Sequence, residues 1–131
     1  SVTSYSEIHK DAENIHRWNL LNPTKSKKKS YLNQCLDQSN GPIIACSDYV
    51  KLVSEQISPY IDCDLASIGT DGFGRSGSRS ELRDFFEIDR YYITLAAINS
   101  LYKQNKVDVK LVQKVINSYN INSEKPNPLK C

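Results

Sequence analysis

Two short runs, "IIAC" at residues 43–46 and "LASIGT" at residues 65–70, constrain this chain more than any other feature. The first is continuously apolar, and such a run fits a strand buried on both faces, as in a parallel sheet. Between the two, Val50, Val53 and Ile57 recur at helical spacing, with Ser47 placed as N-cap and Pro59 at the far end. Strand, helix, strand in that order predicts an α/β layer with a mainly parallel sheet.

The flanking segments extend the pattern. "VTSY", residues 2–5, has the β-branched and aromatic content of a strand. Ser6 then reads as an N-cap for a helix carrying Ile8, Ala12 and Ile15, ending between Trp18 and Asn22 ahead of Pro23. "TKSKKKS", residues 24–30, is a basic loop. A short helix over 31–37 follows, with Tyr31, Leu32, Cys35 and Leu36 on its apolar side, and "QSNGP" at 38–42 breaks it. After the second run the chain reads as helix, helix, helix. The first carries Leu82, Phe85 and Phe86. The second is capped by Asp89 and carries Ile93, Ala96, Ala97 and Leu101. The third is capped by Asp108 and carries Val112, Val115, Ile116 and Tyr119. Residues 122–131 form a polar, Pro-containing tail that is expected to be extended. About three strands are few for this architecture, because so narrow a sheet leaves bare edges. The expectation is that a first strand and helix are missing before Ser1.

Between the second run and the next helix, Gly72, Gly74 and Gly77 spell G-x-G-x-x-G. A dinucleotide site needs a second parallel strand after the helix, ending in an acidic residue. No strand follows here; Glu87 and Asp89 fall in a helix-to-helix connection. No Lys-Ser or Lys-Thr completes a phosphate loop of the Walker type. A strand-exit loop explains the glycines better, and Ser78 with Glu81 forms a capping box for the helix after it. Arg75 and Arg79 then lie near a helix start, where cations are disfavoured. That misfit suggests that they pair with a carboxylate on a neighbouring subunit or domain.

Other chemistry finds little support. The formal net charge of +2 is too small to imply nucleic acid, and no apolar run reaches the length of a membrane span. Lys25, Lys27, Lys28 and Lys29 read as a solvated loop. His9 and His16 share a helix face, but at a spacing of seven, without a third ligand. Cys35, Cys46, Cys63 and Cys131 show neither C-x-x-C nor zinc spacing; they read as reduced and mostly small core residues. No G-x-S-x-G elbow occurs. "DFFEIDRYY", residues 84–92, reads as packing between successive helices.

"GPIIACSDYVKLVSEQISPYI", "SIGTDGFGRSGSRSELRDFFEID" and "INSEKPNP" resemble the C-terminal part of the homodimeric bacterial pyruvate dehydrogenase family. "SVTSYSEIHKDAENIHRWNLLNP" is similar to the segment just upstream in that family, so the likeness covers nearly the whole chain. The family's pattern has an Asp where this chain has Gly77, which makes the third glycine of G-x-G-x-x-G a local substitution.

The resemblance implies a transketolase C-terminal-domain-like fold, a mainly parallel sheet with helices on both faces, present here as a partial domain over residues 1–131. It implies a cytoplasmic parent enzyme using thiamine diphosphate and Mg²⁺, both bound outside this chain. That enzyme decarboxylates pyruvate and acetylates the lipoyl group of dihydrolipoyl acetyltransferase. The implied partners are the rest of the same subunit, a homodimer partner and that acetyltransferase, with no nucleic acid and no membrane. No catalytic, cofactor-binding or metal residue is carried over. The loop Gly69, Thr70, Asp71, Gly72, Phe73, Gly74, Arg75, Ser76 and Arg79 is the candidate interface. The chain alone is expected to be inactive; a free-standing interaction module of the same fold is the alternative.

Overall fold

The computed structural model describes residues 1–37 and 40–130. Gln38 and Ser39, within the anticipated helix break, and Cys131 lie outside them. The βαβ unit forms as the two runs require. β1 (Ile43–Cys46) and β2 (Leu65–Ile68) pair in parallel, with Ile43 opposite Leu65 and Cys46 opposite Ile68. Between them run α3 (Lys51–Glu55) and a 3₁₀ turn, Ser58–Tyr60, with Pro59 inside that turn. α3 packs on β2, and Ser54 Oγ bonds Ser67 Oγ at 2.9 Å across that contact.

Two expectations about the N-terminal end are corrected. "VTSY" is not a strand: the sheet has two strands among the described residues, not about three. Ser4 rather than Ser6 caps α1 (Tyr5–Leu21), its Oγ accepting from Glu7 N at 3.3 Å. The reason is periodicity. Tyr5 stands three residues before Ile8 and so joins the Ile8–Ala12–Ile15 stripe, which outweighs the strand propensity of one Val and one Thr. α2 (Tyr31–Leu36) begins at Ser30 and turns Leu32 into the core beneath α1.

The cap assigned to Ser47 also moves. Ser47 Oγ accepts from Tyr49 N at 2.8 Å, closing a local turn, and α3 starts only at Lys51, with no side-chain cap of its own. Ser78, Asp89 and Asp108 cap as the sequence predicts. Ser78 and Glu81 complete the capping box of α4 (Arg79–Phe85). Asp89 Oδ1 takes Tyr91 N at 2.8 Å and Tyr92 N at 3.0 Å to open α5 (Arg90–Lys103). Asp108 takes Lys110 N at 2.7 Å to open α6 (Val109–Ser118).

The last three helices stop alike. Glu87, Asn105 and Asn120 adopt φ values of 60°, 56° and 50°. In each case the next residue's N–H reaches back five positions: Ile88 to Arg83, Lys106 to Leu101 and Ile121 to Ile116, all at 3.0 Å. Asn tolerates this left-handed stop well; Glu does so at some strain.

α5 packs on both strands and α6 on α5. In the tail, Lys125 Nζ bonds the Asp84 carbonyl and lies 5.2 Å over the Tyr92 ring, and Pro128–Lys130 form a 3₁₀ turn. The cysteines are not core residues as anticipated: Cys35 and Cys46 are exposed and Cys63 is half-buried, all three free. The strands and helices are too short and too few to enclose them. The buried apolar set among the described residues is correspondingly small: Ala12, Leu32, Ala45, Ile57 and Phe86.

Candidate functional site

β2 delivers the glycine loop at the carboxyl ends of the two parallel strands, where open α/β sheets place their ligand-facing loops. The loop is sewn to the segment leaving β1. Thr70 N donates to Tyr49 O at 3.0 Å, and Thr70 Oγ1 to Asp48 O at 2.8 Å. Asp71 Oδ1 accepts from Lys51 N at 2.9 Å, while its Oδ2 lies 3.6 Å from Lys51 Nζ. Asp71 therefore caps α3 from twenty residues away, supplying the acceptor and the negative charge that Val50 lacks. This role was hidden in the sequence, because a cap supplied by a distant loop leaves no local signature.

The glycines sort by geometry. A Cβ on Gly69 would lie 2.3 Å from Tyr49 O and 3.0 Å from Lys51 N, so only glycine permits this backbone approach. Gly72 sits at φ +91°, a left-handed conformation. Gly74 faces open space and Gly77 meets only ordinary contacts. Two of the three residues that spell G-x-G-x-x-G thus have no steric need to be glycine.

Beyond Gly72 the loop is exposed. Phe73 is 87% exposed. The Arg75 guanidinium stacks 4.1 Å over the Phe85 ring instead of meeting a carboxylate, and Arg79 opens α4. Neither arginine has an ion-pair partner among the described residues. Arg75, Arg79 and Arg83 line one groove of ≈ 590 Å³. A second cleft of ≈ 430 Å³, with Asp71, Phe86, Tyr92 and Leu95 among its walls, lies between the loop, α5 and the tail.

Residues 1–89, which include β1, β2 and the loop up to the start of α5, match the family described as the transketolase-like TK C-terminal domain. The chain belongs to that family.

Among curated relatives of this transketolase-like domain, the pyruvate dehydrogenase E1 component of Pseudomonas aeruginosa is 44% identical over 132 residues, which is 100% of this chain and 15% of that protein. The proteins of the same name from Buchnera aphidicola of Schizaphis graminum and from Escherichia coli K12 are 45% and 40% identical over 129 residues, covering 98% of this chain and 14% of theirs. The chain thus spans 14–15% of the length of these relatives.

The domain's remaining candidates have structural partners. The rings of His9 and His16 both meet Tyr60 edge-on, at 5.4 and 5.9 Å. The basic loop folds back on α1: Lys28 Nζ lies 4.0 Å over the Trp18 ring, and Asn19 bonds both the N–H and the carbonyl of Lys28. Lys29 pairs with Asp37 at 2.6 Å. Within "DFFEIDRYY", Phe86 is buried against Phe85, and Tyr91 meets Tyr119 at 4.8 Å. At Cys46, an exposed residue whose thiol is partly desolvated by its neighbours, that desolvation pushes the pKa up; Arg83 pulls it down by less, and Asp48 adds to the rise. A thiol so biased is a poor nucleophile at neutral pH.

Tyr92, on the ≈ 430 Å³ cleft, supplies a pH-dependent contribution. Burial, then the charges of Glu87, Asp84 and Asp89, push its phenol up to about 12. The folded state therefore holds the proton more tightly than the unfolded chain, whose tyrosines titrate near ~10. The associated stability is complete below that pH and is lost as pH rises toward 12. In Tyr92→Phe, the fall in stability between roughly pH 10 and 12 is expected to be shallower than in the parent, read from urea midpoints across that range. Superimposable profiles would contradict the assignment.

Proposed function

We propose that this chain is a non-catalytic, assembly-supporting domain of a thiamine-diphosphate-dependent pyruvate dehydrogenase. The parent enzyme decarboxylates pyruvate and passes the acetyl group to the lipoyl arm of dihydrolipoyl acetyltransferase. The domain completes its own subunit and contributes to a cytoplasmic homodimer.

Family membership supplies the context, and surface area carries the structural role. A folded monomer of 14.9 kDa is expected to expose ~7,000 Å². This chain exposes 9450 Å². The excess, roughly 2,400 Å² on one chain, is comparable to the ~1,000–2,500 Å² that each partner of an obligate interface covers. It includes large apolar side chains: Leu20 is 70% exposed and Leu52 72%. Scattered exposed leucines are ordinary; an excess of this size is not.

The donor set does not fit the metal of a diphosphate–metal site. Among the described residues no three His, Cys, Asp or Glu side chains converge as metal ligands. The loop's carboxylate, Asp71, is already committed to Lys51. No chemical step is assigned to these residues.

The purified chain, given pyruvate, thiamine diphosphate and Mg²⁺, is expected to release no CO₂ and to self-associate in sedimentation velocity through its uncovered apolar surface. Turnover by the chain alone would disprove the non-catalytic reading. A monodisperse, highly stable monomer would disprove the assembly role.

A further inference from the structure

The groove beside the glycine loop carries three arginines in an arrangement that the domain itself leaves unbalanced. Arg75, Arg79 and Arg83 are exposed on its rim, and Leu82, Phe86 and Ile88 supply apolar surface between them. None of the three arginines makes an ion pair among the described residues. The nearby carboxylates are engaged elsewhere. Glu81 accepts from Ser78 N at 2.8 Å, Asp84 lies 3.6 Å from Lys125, and Asp71 holds Lys51. Only Asp48 adds a negative charge to the wall.

The positions are also unfavourable for the isolated domain. Arg79 is the first residue of α4, where the helix dipole disfavours a cation. Arg79 and Arg83, four apart on one helix face, repel each other. Arg75 is held with its Cζ 4.1 Å from the centre of the Phe85 ring, a cation–π contact that uses none of the hydrogen-bonding capacity needed to meet a carboxylate. Arginines around an apolar floor, with the exposed Phe73 and Tyr49 in the adjoining segments, have the make-up of a protein-binding hot spot. A simple anion site would instead need convergent donors and no apolar floor.

We propose that this groove docks an acidic segment of a separate partner polypeptide. Its carboxylates pair with Arg75, Arg79 and Arg83, and an apolar side chain between them rests on Leu82, Phe86 and Ile88. This goes beyond the assembly role, since it requires the groove to stay open in the assembled protein.

The test uses the full polypeptide that carries this domain, in its native assembly. The probe is a fluorescein-labelled peptide with glutamates on either side of a central leucine, followed by anisotropy. Saturable binding that weakens as salt rises is expected. Arg75→Glu and Arg79→Glu are each expected to weaken it about tenfold or more. Lys110→Glu, on α6, is expected to leave it unchanged. Arg79→Glu should also raise the melting temperature slightly, since it puts a carboxylate at a helix start, so its loss of binding cannot be ascribed to unfolding. Three results would overturn the proposal. The first is no binding by the parent protein. The second is equal binding by the charge-reversed variants or by a peptide with lysines in place of the glutamates. The third is full displacement of the peptide by millimolar inorganic phosphate, which would make the groove a site for small anions only.

Discussion

Gly69→Ala is expected to lower the stability of this domain by about 1–3 kcal/mol, the range for forcing extra atoms into a packed site. For a domain of this size that is a fall of roughly 4–12 °C in melting temperature. The added methyl would approach Tyr49 O to 2.3 Å and Lys51 N to 3.0 Å. Neither atom can yield cheaply. Tyr49 O accepts from Thr70 N, and Lys51 N donates to Asp71. Relieving the clash therefore loosens both bonds that sew the loop to the start of α3. Gly74→Ala, which meets open space, is expected to stay within about 0.5 kcal/mol of the parent. Gly72→Ala should fall between them, because its φ of +91° strains any other residue. Denaturant midpoints of the three variants check the order. If Gly74→Ala were as damaging as Gly69→Ala, the loop would owe its glycines to something other than this backbone approach.

Phe86→Ala is expected to have the largest effect of any single truncation, about 3–5 kcal/mol. Among the described residues, Phe86 is one of five buried apolar residues and the only aromatic of the five. It stands at the end of α4, its ring edge-on to Phe85 at 4.9 Å, and it borders both the ≈ 430 and the ≈ 590 Å³ clefts. Removing it joins two solvent-facing spaces through the thin core. Against a typical total stability of about 5–15 kcal/mol, such a loss leaves a substantial unfolded fraction. Phe86→Leu, which keeps most of the volume, should cost less than about 1.5 kcal/mol. Urea titration separates the two, and a Phe86→Ala midpoint close to the parent's would show that the ring is not a core element.

Much of the fold was legible because its signals are local. The continuous run at 43–46 and its partner at 65–68 form the parallel pair, although only Ala45 is buried and the rest of both strands is half-buried or exposed. Asp89, Asp108 and the Ser78–Glu81 box cap where expected, because a cap is a contact between residues two or three apart. The departures came from signals that compete or act at a distance. "VTSY" carried strand propensity, but Tyr5 belonged to a helical stripe. Ser47 looked like the cap of α3, yet the acceptor is Asp71. Asn105 and Asn120 could have been read as helix stops; Glu87, in the same left-handed conformation, offered no such cue.

For the candidate site the division is sharper. The loop's motif residues, and their likeness to a pyruvate dehydrogenase, stand in the sequence as written. Which of them matter sterically does not. The pattern G-x-G-x-x-G gives its three glycines equal standing, and Gly69, outside the pattern, meets the closest approach. The pairing of Arg75 and Arg79 with a carboxylate could be suspected from their place at a helix start. That the described residues supply none, that Arg75 stacks on Phe85, and that Arg83 joins them on one groove are matters of three-dimensional position. The sequence by itself determined the βαβ unit, the caps of the last three helices and the family, because periodicity, local hydrogen bonding and motif residues are encoded along the chain. The tertiary structure alone decided how Asp71 holds α3, why Gly69 must be glycine and where three arginines gather. The first two depend on distances between segments about twenty residues apart, and the third on how the loop folds back beside α4, neither of which a local pattern records.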